Sequence, residues 1–158
     1  MAREHEQPML LAEVSRMSET DLDEVIAMGL STPEIQTGTE SPQFYFKDTL
    51  QRWIQSPNGI LLVARVEGRL AGFRIADYNP DSRDGHLHVT VVNEEYRRRG
   101  VGGQLLDATL TELEKLGCNH VYCEVEEDNE ATLQFFRKHG FEVGKKFFRV
   151  ERGLPRET

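Results

Sequence analysis

Cysteine is scarce in this chain: Cys118 and Cys123 are the two among 158 residues. Two thiols in a chain this long are no disulfide framework, and neither has metal-ligand spacing. The sequence-level expectation is therefore a reduced, cytoplasmic setting with no metal. Long apolar runs are also missing, since no stretch approaches the roughly 20 residues of a membrane-spanning helix. The first residues, Met1-Ala2-Arg3-Glu4-His5-Glu6-Gln7, are polar and acidic and lack an apolar signal core. No membrane partner is expected. Positive charge is in deficit too, with 19 Lys and Arg against 27 Asp and Glu and a formal net charge of -8. A general nucleic-acid binder would usually be basic, so that class is set aside. The remaining composition, 29% charged and 38% hydrophobic, is that of an ordinary globular chain of one domain, residues 1–158.

Against that acidic background, Arg97-Arg98-Arg99-Gly100-Val101-Gly102-Gly103 stands out. It follows a β-rich run, Leu87 to Val92, and precedes an amphipathic run, Val101 to Leu116. The first amides of a helix have no partners within it, and the helix dipole makes that end positive. Glycines allow an anion to approach the backbone, and arginines add charge. Such a turn suits a phosphate or pyrophosphate. It is not a dinucleotide fingerprint, because Leu105 stands where the third glycine belongs. The Gly-Lys-Ser/Thr of a Walker loop is absent. A solvated basic turn is the plainer alternative.

The pattern along the chain alternates between the two periodicities. Met9 to Val14 reads as a strand, and Ser18 to Asp21 as a helix start followed by Leu22, Val25, Ile26 and Met28. Ser41-Pro42 is placed at the start of a second helix with Phe44, Phe46, Leu50, Trp53 and Ile54 on its apolar face. Ile60 to Val66 and Leu70 to Ala76 form a hairpin about Glu67-Gly68-Arg69. Gly85 to Val92 is a strand that puts His86 and His88 on one face, and Leu87 and Val89 on the other. A helix from Val101 stops at Gly117, and His120 to Glu126 alternates as a strand. Asn129 caps a last helix that ends at Gly140, and Phe141 to Glu151 has strand character. The order β-α-α-β-β-β-α-β-α-β implies an α/β fold, a mixed central sheet flanked by helices.

Two segments carry a family resemblance. Arg97, Gly100 and Gly102, in the pattern R-x-x-G-x-G after a strand, resemble the acyl-CoA loop of the GNAT superfamily of N-acyltransferases. Downstream, Asn129 to Phe141 is similar to that family's N-x-x-A-x-x-x-[Y/F]-x-x-x-G-F segment. The close match runs from about residue 85 to residue 143. The resemblance implies acetyl-CoA as cosubstrate and a primary amine as acceptor, either a small molecule or a protein N-terminus. It assigns the cosubstrate to Val91, Val92, Asn93, Arg97, Arg98, Arg99, Gly100, Val101, Gly102, Gly103, Asn129 and Phe136. Members of the family often dimerise, so a homodimer is compatible with it.

Acyl transfer needs the amine to lose a proton and the thiolate to leave. Gly85-His86-Leu87-His88 resembles the two-histidine strand of arylalkylamine N-acetyltransferases, and a neutral imidazole accepts a proton near physiological pH. Partly exposed strand histidines with no chemistry are the alternative. Glu124 matches the glutamate of ribosomal-protein N-terminal acetyltransferases and is a second candidate base, or a solvent-facing strand residue. Phe136 departs from the family, in which many members carry tyrosine to protonate the thiolate. Either CoA leaves as the thiolate, or water, Tyr122 or Tyr45 serves instead, or the chain is a CoA-binding sensor with little catalysis.

Overall fold

Residues 59–79 fold back on themselves to make the centre of a sheet. In the computed structural model, which describes residues 7–32 and 44–155, β2 is Gly59–Val66 and β3 is Arg69–Asn79. Glu67 and Gly68 join them, both left-handed at φ 51° and 79°. Two such residues give the turn whose twist matches the strands it connects. β1 (Glu13–Arg16), β4 (Asp84–Val92) and β5 (His120–Tyr122) complete a five-stranded sheet in the order β1-β2-β3-β4-β5. All neighbours are antiparallel except β4 and β5, which run parallel.

Strands this apolar are covered on both faces. On one face, Leu22 and Val25 of α1 (Leu22–Leu30) and Leu50 of α2 (Lys47–Gln55) pack with Leu61, Val63, Phe73 and Ile75. α3 (Val101–Leu116) adds nothing to that cluster; it buries Leu105, Leu106, Thr109 and Leu113 against the opposite face. Leu113 stands so close over Gly85 that a Cβ there would fall 2.7 Å from its methyl. Gly117, at φ 92°, ends α3 as its spacing predicts. The described residues divide into two units, Met1–Cys123 and Glu124–Thr158. The second holds α4 (Glu130–Lys138), capped by Asn129, whose Oδ1 accepts from the Thr132 amide at 3.2 Å.

Five sequence expectations need correction or bounding. The first strand is not Met9–Val14 but Glu13–Arg16. Residues 8–12 instead hydrogen-bond to the start of α3: the Leu10 amide donates to the Arg99 carbonyl at 2.8 Å, and the Ala12 amide donates to Gln104 Oε1 at 2.9 Å. Ser41-Pro42 lies outside the described residues, and the helix assigned to it starts at Lys47, so Phe44 and Phe46 precede its first turn. β5 stops at Tyr122, four residues short of Glu126. No ladder forms over residues 141–151 among the described residues, and Phe147, Phe148 and Val150 are 85%, 97% and 91% exposed. β propensity reports fit to a half-buried pleated surface and does not by itself make a strand. Val89 packs with the cluster containing Ile75 and Leu61, which also line the cavity beside His88. It therefore shares the face of His88, not that of Leu87.

Candidate active site

The register of β3 and β4 explains that displacement. Ile75 pairs with Val89, but the next residue, Ala76, pairs with Leu87. One step on β3 against two on β4 leaves His88 as the extra residue of a bulge, a device that re-aims a side chain. Asp77 of β3 pairs with His86. The result is a tight group: His88 Nε2 lies 2.8 Å from Asp77 Oδ1, and the His86 and His88 ring centroids are 4.0 Å apart. Tyr122 stacks on His86 at 4.5 Å, and Trp53 on His88 at 6.3 Å. Tyr45 meets Trp53 edge to face at 4.9 Å. Burial, and after it the Asp77 charge, pushes the Tyr45 phenol above its ordinary pKa, so it stays protonated at neutral pH. A cavity of about 440 Å³ opens beside the group, walled by Trp53, Leu61, Ile75, Asp77, Tyr78 and His88. That volume falls within the range of small-ligand sites.

β5 pairs with β4 only over Asp84, Gly85 and His86. Beyond His86, the edge of β4 leading to Val91 and Val92 has no ladder partner on that side among the described residues. The chain then turns through Asn93, whose Oδ1 accepts from the Glu95 amide at 3.4 Å. Arg97 Nε donates to the Val92 carbonyl at 2.9 Å, pinning the arginine turn to the strand end. Arg98 is left-handed at φ 61°, an uncommon state for a residue with a Cβ, and Gly100 is left-handed at φ 86°. Buried Val101 anchors the first turn of α3, and the Gln104 amide donates to the Gly100 carbonyl at 3.1 Å. The amides of Val101, Gly102 and Gly103 precede that first helical bond, which is the arrangement an anion site requires. Arg99 Nε donates to the Pro8 carbonyl at 3.1 Å, and a second cavity of about 330 Å³ lies beside Asn93 and Arg97.

The structure thus brings His86 and His88 together and adds Asp77, Trp53 and both candidate tyrosines. Sequence reading missed Asp77 because it lies on the neighbouring strand, opposite the histidines only through a bulged register. The run of alternating residues through Asp77 is a signal for a strand and nothing more. Glu124, Asn129 and Phe136 belong to the second unit. Glu124 is exposed and lies past the end of β5. Asn129 is committed to its cap, and Phe136 packs edge to face on Phe135 and Phe141, with centroids at 5.4 Å and 5.0 Å.

Comparison with known proteins converges on one family. The family model described as the acetyltransferase (GNAT) family matches residues 26–141. An N-alpha-acetyltransferase of Sulfurisphaera tokodaii is 26% identical over 138 residues, 80% of this chain and 77% of the relative. A mycothiol acetyltransferase of Propionibacterium freudenreichii is 29% identical over 130 residues, 78% of this chain but 40% of the relative, so this chain spans less than half of it. Among solved structures, an aminoglycoside N-acetyltransferase in complex with CoA superposes with a TM-score of 0.71 at 18% identity, covering 90% of this chain and all (100%) of that one.

Proposed function

The chain belongs to the GNAT acetyltransferase family, and on that premise we propose that it transfers the acetyl group of acetyl-CoA directly to a primary amine held in the cavity beside His88. The observation that carries the proposal is the arrangement on one strand. β4 carries His86 and His88, opposite Asp77 of β3 and beside the cavity, and runs into a helix-start anion loop at its end. A thioester supplies the acetyl group, and an anionic handle supplies a grip for the loop.

The roles follow from this chain's own groups. Arg97 to Gly103 hold the pyrophosphate, with Gly100 and Gly102 allowing close approach. The backbone of Val91, Val92 and Asn93 lines the arm of the cosubstrate, a role the family pattern extends to Asn129 and Phe136. His86 and His88 take the proton the amine must lose, with Glu124 as the alternative acceptor. Tyr45 and Tyr122 are the phenols beside the histidines, and so the proton donors to the thiolate in place of Phe136. Asp77, turned to the same cavity, favours a cationic acceptor. The acceptor is a small amine or a protein N-terminus. The protein works in the reduced cytoplasm, as its two cysteines in 158 residues favour, and has no nucleic-acid partner. A single domain of residues 1–158 acts as the unit, alone or as a homodimer.

Two measurements test this. An amine screen read by thiol release from acetyl-CoA should find an acceptor; CoA binding without release with any amine would overturn the enzyme reading. Gly102→Val should weaken CoA binding by about 10-fold or more, which is ~1.4 kcal/mol. Unchanged affinity by calorimetry would move the pyrophosphate elsewhere.

A further inference from the structure

We propose that Asp77, His86 and His88 form a three-ligand site for a divalent transition metal of the zinc type, and that this metal reversibly inhibits the protein. One ligand atom from each residue lies within 4.8 Å of the others. The chemistry of the set is selective. Two imidazoles and one carboxylate suit zinc and its first-row neighbours, whereas magnesium and calcium prefer all-oxygen shells. With bonds of about 2.0–2.2 Å, tetrahedral ligands sit ~3.4 Å apart. The Asp77–His88 contact, at 2.8 Å, needs to open slightly to admit the ion, and the remaining separations, all within 4.8 Å, need only small shifts of the stacked rings and the carboxylate to close.

The fold holds this set in place before any metal arrives. The carboxylate and both histidines come from paired strands, and the bulge at His88 aims both rings to the face of Asp77. Tyr122 and Trp53 each stack on one imidazole, which limits ring rotation. Rigid elements carrying oriented ligands are what a metal site demands. Three protein ligands leave a fourth position open toward the cavity, the pattern of exchangeable sites and not of closed structural ones.

The inhibitory consequence rests on the function proposed above, while metal binding itself does not. A bound ion occupies imidazole lone pairs that would otherwise take the amine's proton. It also neutralises Asp77, which would otherwise attract a cationic acceptor. Binding and inhibition therefore fail separately.

The test titrates Zn2+ into the full, metal-free chain by calorimetry and follows Co2+ by its visible absorption. We expect one site per chain and tetrahedral cobalt bands. Asp77→Asn, His86→Gln and His88→Gln should each weaken Zn2+ binding by more than the roughly 10–100-fold that loss of an outer-shell partner costs. His120→Gln is the control, because His120 Nδ1 lies 3.3 Å from Asp84 Oδ1 and forms a separate His–Asp pair. It should leave Zn2+ affinity within about twofold, the scatter expected for an uninvolved surface residue. Thermal melts establish that each variant is folded, and the three ligand variants guard one another. Absence of stoichiometric binding, or loss of it in His120→Gln with the other variants unaffected, overturns the site. Binding that leaves amine acetylation unchanged overturns the inhibition and, with it, the proton-acceptor role of the histidines.

Discussion

Arg74 is the costliest side chain in the described core. It is 2% exposed on β3, and its Nε and Nη2 have no hydrogen-bond partner. Burial lowers its pKa from the ordinary guanidinium range to about 10, against an opposing pull from Cys123. The cationic form is thus penalised in the fold, and the cost is fully present below pH 10. Arg74→Met keeps the length of the stem and removes the charge. It should leave the stability unchanged or raise it by about 1–4 kcal/mol, read from the urea midpoint. Destabilisation would show that the guanidinium has a partner that burial conceals. Asp21 shows the opposite sign. Burial works against its ionisation, but the Ser18 amide, Arg65 and the Ser18 hydroxyl prevail and hold its pKa below 3.8. Its contribution is complete above the ordinary carboxylate range and is lost as pH falls through the lower folded value. Asp21→Asn should cost about 1.5–3 kcal/mol at neutral pH, as for hydrogen bonds to a charged group. As pH falls through the lowered folded value and the native carboxyl also protonates, the gap between variant and parent should close.

At the scale of elements, legibility follows how local the determinants are. α3 was readable in full: its apolar stripe, its glycine stop and its glycine start all lie within the element. The two histidines sharing a face were readable from strand periodicity. Asp77 was not, because its place opposite them depends on a bulge that pairing creates. The residues at 9–12 misled for a similar reason. Met9, Leu10 and Leu11 look like strand, yet Leu11 is 91% exposed and the segment's hydrogen bonds go to the α3 start. Gln104 is the clasp. Its Nε2 donates to the Leu10 carbonyl at 2.7 Å and the Gly100 carbonyl at 3.1 Å, while its Oε1 accepts from Ala12. Nothing in the sequence marks a glutamine in the first turn of α3 as a tether. Gln104→Ala should cost about 1–3 kcal/mol. It should also expose residues 8–12 to proteolysis. Unchanged cleavage kinetics would mean that the tether does not hold the segment in solution.

At the scale of the molecule, the chain carries phenylalanine where many family members carry a tyrosine that donates a proton. Phe136 has no proton to give, and the two phenols near the histidines come from the segment before α2 and from β5. Tyr45 is the more buried of the pair. Burial and the Asp77 charge raise its pKa, which keeps it protonated and disqualifies it as a base. Tyr122, stacked on His86, is more exposed at 40%. Once an acceptor is known, Tyr45→Phe should lower kcat more than Tyr122→Phe. The loss approaches the ~10²-fold lower end of general-acid catalysis if thiolate departure limits the rate. Phe136→Tyr should be neutral or mildly activating, because a site evolved around phenylalanine packed on Phe135 and Phe141 does not orient a hydroxyl. CoA affinity should stay constant across all three variants, which separates a change in chemistry from a change in binding. A large activation by Phe136→Tyr, with both tyrosine variants unaffected, would place the missing donor at position 136 and remove Tyr45 from the mechanism.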